Sequence, residues 1–435
     1  MTSQCDTRLL LGTLVQAVPD GPGGKPVLAV TDRGGVLIRD GLIEAVGSAA
    51  TLRAHAPEGT PLHDYGSRLI LPGFIDAHVH LPQTDIIGSH GEGLLTWLER
   101  YAFPAECAFR DPAVAQEVSG FFLDELLRNG TTTAVVLGSV HPHSADAVFR
   151  EAARRGLRLV AGKLLMDRNC PDVLLEEAET GLERTRELIQ RWHGVGRLQY
   201  AITPRFAPTS TKAQLTGIAA LADAFPDVYV HSHLAESRTE LDWVRQVYPS
   251  QTSYLDVYQH HGLLRPRSLF AHCVHLQQGE RETMAASGAA AVFCPTSNLF
   301  LGSGLFDHAA SRTAGMRIGL GTDVGAGTSF SMLRTASEAY KVSALLGQAL
   351  SPAELLYLMT RGGAEALDLD DRIGTLAAGM EADCVVLDPE ATPLSARRAA
   401  RCDSVEELLF TTLILGDDRH VAAVYAGGRC QHERA

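Results

Sequence analysis

From about residue 72 to residue 371 the sequence alternates short apolar runs with longer amphipathic segments, and nothing else in the chain constrains the fold as strongly. Eight runs have the length and composition of buried strands: Ile75–Val79, Thr132–Leu137, Leu157–Leu165, Leu198–Ile202, Val228–His233, Ser268–His272, Ala289–Cys294 and Ile318–Thr322. Stretches with helical spacing, such as Ala113–Asn129 and Thr180–Trp192, fall between them. Strand–helix alternation predicts parallel βα units. Eight repeats predict a closed (β/α)8 TIM-like barrel, an α/β fold that takes about 250 residues. A chain of 435 residues leaves room for a second, smaller domain.

The two ends have a different character. Gly35–Gly47 reads GVLIRDGLIEAVG, with apolar runs flanking Asp40-Gly41, a two-residue hairpin signal. Near the other end, Ala382–Leu387 is a short apolar strand after a turn at Gly379, and Val421–Cys430 turns at Gly427-Gly428. The expected organisation is a small β-sandwich domain built from residues 1–71 and 372–435, enclosing a catalytic barrel over residues 72–371.

Charge and cysteine usage narrow the partners. Lys and Arg total 38 against 51 Asp and Glu, so the net charge is 38 − 51 = −13. An acidic surface disfavours nucleic-acid backbones and anionic membranes, although solubility alone also explains it. The eight cysteines, Cys5 among them, form no CxxC pair, which suits reduced thiols and argues against a cysteine-rich zinc site. Met1–Val15 has no basic region followed by an apolar core, and no run of about 18 apolar residues occurs. The expected location is the cytoplasm.

His78 and His80, in PGFIDAHVHLPQ, are two apart on a strand and therefore share a face. Two neutral imidazoles on one face chelate a borderline-soft cation such as zinc. An isolated HxH also arises by accident. His233 closes the fifth candidate strand, His272 the sixth, and Asp323 follows the eighth. Catalytic residues of this barrel class gather at strand C-termini, so remote positions converge once the barrel closes. His231 reads as a packed or hydrogen-bonded neighbour, though its parity with His233 leaves that open. Glu236 lies three residues past His233. There it is either a proton shuttle between water and substrate or an acidic residue favoured at a helix start.

The signatures PGFIDAHVH, HSHLAE, FAHCVHL and GLGTDVG resemble the amidohydrolase superfamily, in its branch with mononuclear metal sites. Further stretches resemble the guanine deaminase family within that branch: HLPQ, GEGLLTWLERYAFPAE, NGTTTA, ITPRFAPT, CPTSNLFLGSGLF and GTDVGAGTSFSML. The resemblance implies hydrolysis of guanine to xanthine and ammonia. By position, it implies that His78, His80, His233, His272 and Asp323 hold one Zn2+ per chain, with Fe2+ an alternative for the same ligand set. It assigns Glu236 and Asp323 to proton transfer, and Gln83, Trp97, Arg205 and Phe206 to the purine. An arginine fork bonds a carbonyl strongly, and aromatic walls suit a flat ring. A surface salt bridge for Arg205 and a core position for Phe206 are the plain alternatives. Lys163 reads as structural, and His275, Asn298 and Ser303 carry no firm role. A homodimer is also implied. The competing readings are an aminohydrolase or chlorohydrolase for another purine, a pterin or a triazine, and a catalytically inactive scaffold.

Overall fold

The computed structural model describes residues 6–21 and 23–434, so Cys5 lies outside the described residues. Turn chemistry organises both chain ends. Asp40 and Gly41 have φ of 51° and 84°, the two positive values a type I′ turn needs. They join Pro26–Arg39 antiparallel to Leu42–Ser48. Gly427 and Gly428, at 54° and 74°, join Val421–Ala426 to Arg429–Glu433 in the same way. Leu62–Pro72 lies between the two ends, parallel to Thr7–Pro19 and antiparallel to Cys384–Leu387. The result is one seven-stranded sheet made from both termini. Leu10, Ile38 and Ile70 pack with Val386, Ala423 and Tyr425 in its core.

The eight barrel strands are Phe74–His80, Thr131–Leu137, Arg158–Gly162, Leu198–Pro204, Tyr229–Leu234, Ser268–His272, Ala290–Phe293 and Arg317–Leu320. They are parallel and neighbour one another in sequence order. Past the end of strand eight the chain closes on strand one. Asp323 N donates to His78 O at 2.8 Å, and His80 N donates to Val324 O at 2.9 Å. Beneath these bonds, the buried Asp76 carboxylate accepts from both the backbone N–H and the hydroxyl of Thr322.

Two irregularities matter for the site. On strand one the register shifts between Asp76 and Val79, a bulge that reverses the alternation of faces. Ile75 and Ala77 belong to the barrel interior with Val135, Val160 and Val292, whereas Val79 packs outward. The phase change leaves His78 and His80 facing inward above Ala77. The expected third strand, Leu157–Leu165, is broken: Arg158–Gly162 is followed separately by Leu164–Leu165. A side chain at Gly162 would fall 1.9 Å from Ala201 O, and Lys163 N donates to the Tyr200 hydroxyl instead of the ladder.

Helices surround the barrel, among them Pro112–Arg128 and Ala178–Trp192. Helices Pro393–Ala399 and Val405–Leu415 interrupt the C-terminal strands, and Leu409 and Leu413 join the barrel-side core. The seven described cysteines are all free. No helix among the described residues is long and apolar enough to cross a membrane.

Candidate active site

The inward histidines and Asp323 meet at the C-terminal mouth of the barrel. Nε2 of His78 and of His80 lie 3.1 and 3.2 Å from Asp323 Oδ1. Nε2 of His80 and His233 are 3.1 Å apart, and His272 Nε2 is 3.8 Å from Asp323 Oδ2. One ligand atom each from His78, His233, His272 and Asp323 falls within 4.8 Å of the others. All five side chains are buried.

The far side of each ring decides which nitrogen faces the centre. His233 Nδ1 donates to Arg205 O at 2.6 Å, and His272 Nδ1 donates to Asn298 Oδ1 at 2.9 Å. His78 Nδ1 shares a 2.8 Å hydrogen bond with His231 Nε2. Outer partners of this kind fix the tautomer and aim Nε2 at a metal. Burial holds His78 neutral, pushing its pKa down to about 4 against the opposing pull of Asp323. Burial likewise lowers His80, His231 and His233. His272 differs: burial pulls it down, but Glu236 and Asp323 outweigh that and raise it.

The donor set fits a divalent cation. Nε2 of His78 and of His272 are buried without a hydrogen-bond partner, and buried polar atoms seldom stay unsatisfied. His80 and His233 also bring their Nε2 atoms within 3.1 Å of each other. That contact is repulsive unless a proton or a cation lies between them. The backbone at the site is strained to match: Ala235, His272, Cys273 and Asp323 all adopt positive φ, from 51° to 73°, each at about 1–3 kcal/mol.

Beside the centre is a small, tight cavity lined by Gln83, Trp97, Arg205, Phe206, Glu236 and Glu240 together with His80, His233, His272 and Asp323. The ten residues singled out in the sequence are therefore brought together. Glu236 Oε2 lies 3.4 Å from His272 Nε2, and Ser303 Oγ donates to Glu236 Oε1 at 2.8 Å. Burial raises the Glu236 pKa, with Asp323 adding and His272 opposing. Trp97 is held by its indole N–H to Ser89 O at 3.1 Å. Phe206 packs edge-on to Trp243. Arg205 does make a salt bridge, but a buried one: Glu106 accepts from Nη2 at 2.9 Å and from Nε at 3.2 and 3.3 Å.

Lys163 stays away from the centre, with Nζ 2.5 Å from Glu176 Oε2 and 3.1 Å from Leu164 O. His275 Nε2 donates to Ser303 O at 2.8 Å. Sequence reasoning missed Glu106 and Glu240, and gave Asn298 and Ser303 no firm role. Only Glu240 had a local signal, the S-x-x-E pattern from Ser237 that forms a capping box here.

Residues 69–430 match the amidohydrolase family. The chain belongs to that family. Over 94% of its length it is 47% identical to guanine deaminase of Escherichia coli, covering 93% of that protein. The solved structure of E. coli guanine deaminase superposes with a TM-score of 0.96 at 44% identity, covering 98% of this chain and all (100%) of that one. Guanine deaminase from C. acetobutylicum, solved with guanine bound in its active site, gives 0.88 at 28% identity, over 98% of this chain and 99% of that one. As an amidohydrolase with a buried histidine–aspartate cluster, the chain is a metal-dependent aminohydrolase.

Proposed function

We propose that the protein is a guanine deaminase in which guanine and water give xanthine and ammonia. The observation that carries this is the donor-bearing wall of Arg205 and Gln83, beside Phe206 and Trp97, in the cavity that opens on the histidine–aspartate centre. Extensive identity to guanine deaminases supports it.

His78, His80, His233, His272 and Asp323 would hold one divalent ion, which we propose is zinc. Such an ion would supply Lewis-acid activation of the attacking water. Asp323 takes a proton from the attacking water. Burial pushes its carboxyl up, but hydrogen bonds with His78 and His80 outweigh that and hold it well below the usual range, so it is ionised. Burial raises the Glu236 carboxyl above its usual range, which favours its protonated form as the acid. Glu236 donates its proton to the ring nitrogen beside the amino-bearing carbon. A C–O bond forms at the amino-bearing carbon; the C–N bond then breaks as the proton held by Asp323 passes to the departing amine, and the new hydroxyl gives its proton to Glu236 to leave the carbonyl of xanthine. Phe206 and Trp97 hold the flat ring. Glu106 engages Arg205 through Nε and Nη2, which leaves Nη1 for the purine oxygen.

The same reading places the enzyme in the cytoplasm as a homodimer, with residues 72–371 as catalytic domain and 1–71 plus 372–435 as a composite second domain. The sheet shared by the two termini supports the domain assignment. The test is ammonia release from guanine, with adenine and cytosine beside it. Turnover of guanine alone is expected, and preference for another ring would overturn the substrate.

A further inference from the structure

We propose that Glu106 is a positioning residue that fixes Gln83 and Arg205 as a donor-only edge, and so makes the cavity select the oxygen-bearing side of guanine. The inference rests on the reading of the site as a guanine deaminase. Glu106 lies on helix Phe103–Ala108, after a widened π turn at Leu98–Ala102 that follows Trp97. Its side chain is fully buried. Its main-chain carbonyl accepts from Ser139 Oγ at 2.9 Å, which ties this helix to the loop after the second barrel strand.

One carboxylate therefore serves two cavity-lining residues. Glu106 Oε1 accepts from Arg205 Nη2 at 2.9 Å and from Gln83 Nε2 at 3.4 Å. At the other end of the amide, Gln83 Oε1 accepts from Gly325 N at 3.2 Å. Gln83 is thus oriented from both ends: its carbonyl oxygen is turned to the backbone N–H of Gly325, and its amide nitrogen has one N–H beyond the bond to Glu106. Arg205 has no acceptor at all, and the bonds to Glu106 hold its guanidinium between the Phe103 and Phe206 rings, 5.2 and 5.6 Å from their centroids. Both residues line the cavity, and the polar groups they have left beyond these bonds are N–H donors. A purine edge with an oxygen satisfies them. An edge without one leaves buried donors unpaired, and an amino group meets them donor to donor. Without Glu106 the Gln83 amide is free to flip and the Arg205 fork to turn, and the edge loses its single polarity.

The experiment compares kcat/KM for guanine and for 2-aminopurine, which keeps the reacting amino group and lacks the oxygen, in wild type and Glu106→Gln. Metal content and circular dichroism are recorded for both proteins. Wild type is expected to prefer guanine strongly. In Glu106→Gln that preference should shrink roughly 10–100-fold, the worth of a lost charged hydrogen bond. The change should come mainly through a higher KM for guanine, with metal unchanged. If both substrates slow equally and the ratio stays, Glu106 only supports the fold and the inference falls. Should Glu106→Gln prove insoluble, Glu106→Asp serves the same comparison, since it keeps the charge but withdraws the carboxylate by one methylene. An unchanged ratio there is equally fatal. Failure of the underlying reading is distinct: wild type itself would then release no ammonia from guanine.

Discussion

The backbone carbonyl of Arg205 accepts a 2.6 Å hydrogen bond from Nδ1 of His233. A single residue thus holds the His233 ring in its tautomer through its main chain and lines the cavity beside it with its side chain. Ser232 Oγ also reaches that carbonyl at 3.3 Å, and the Tyr254 and Tyr258 hydroxyls donate to His233 O at 3.2 and 3.0 Å. The fourth and fifth barrel strands are therefore locked together where they meet the cavity. Displacing Arg205 moves the ring that faces the reacting water, and misplacement by about 1 Å costs on the order of 10²-fold in rate.

Metal content gives the first prediction. Purified protein should contain about one divalent ion per chain, because the converging Nε2 atoms and Asp323 form one site and Lys163 is engaged by Glu176. Elemental analysis measures this directly. A strong chelator should abolish turnover, and restoring the ion should return it. Two tightly held ions per chain would contradict the single centre.

Glu236→Gln should keep metal and fold but lose about 10²–10⁴-fold in kcat. Glutamine preserves the shape and can accept the bond from Ser303, yet it cannot carry the proton. Steady-state kinetics on metal-replete protein decide the matter. Near-normal turnover would make Glu236 a helix-start residue.

The parts of this molecule that were readable in the sequence are those whose physics is local. Apolar runs of strand length gave the barrel, and Asp40-Gly41 and Gly427-Gly428 announced their turns because their backbone demands are local. His78 and His80 share a face because strands repeat every two residues. The bulge that turns both inward was not readable, since it depends on pairing with strand two. The break at Lys163 was hidden too, because it arises from Tyr200 on a neighbouring strand. Glu106 lay in a quoted motif, but its partner Arg205 is 99 positions away. No periodicity links two such residues. Asn298 and Ser303 act through single hydrogen bonds to His272 and Glu236, and a polar loop residue carries no mark of that.

Glu240 gives a pH prediction. Burial, with Glu236 nearby, raises its pKa from 4.5 to about 7, while Oε2 accepts from the backbone N–H of Glu236 and Ser237 and Oε1 has no partner. Between those two values the folded chain binds more protons at this group than the unfolded chain does. Its contribution to stability is therefore full below the lower value and declines as pH rises through the upper one. Glu240→Gln should flatten that decline and be more stable than wild type at pH 8, as read from denaturant midpoints at several pH values. Parallel pH profiles for the two proteins would show that Glu240 does not titrate in this window.

Arg205 carries the last prediction, and its buried pairing with Glu106 determines which variant to use. Arg205→Ala removes the purine contact but also leaves Glu106 buried and unpaired. Breaking such a pair costs about 3–5 kcal/mol, so this variant should unfold at a markedly lower denaturant concentration. Its kinetics alone would mix recognition with stability. Arg205→Lys separates the two. Lysine keeps a positive charge for Glu106 but lacks the planar fork that bonds a carboxylate and a carbonyl at once. Its main chain can still accept from His233, so the ring should stay aimed and the metal should stay bound. The expected result is a midpoint close to wild type, unchanged metal and a large fall in kcat/KM for guanine. Wild type should also reject adenine, because a site built to bond a group discriminates by about 10⁴–10⁵-fold against an analogue lacking it. The measurements are kcat/KM with both purines, denaturant midpoints and metal content for all three proteins. Arg205→Lys acting on guanine as well as wild type would reduce Arg205 to a structural ion pair. Wild type preferring adenine would overturn the substrate while leaving the metal chemistry in place.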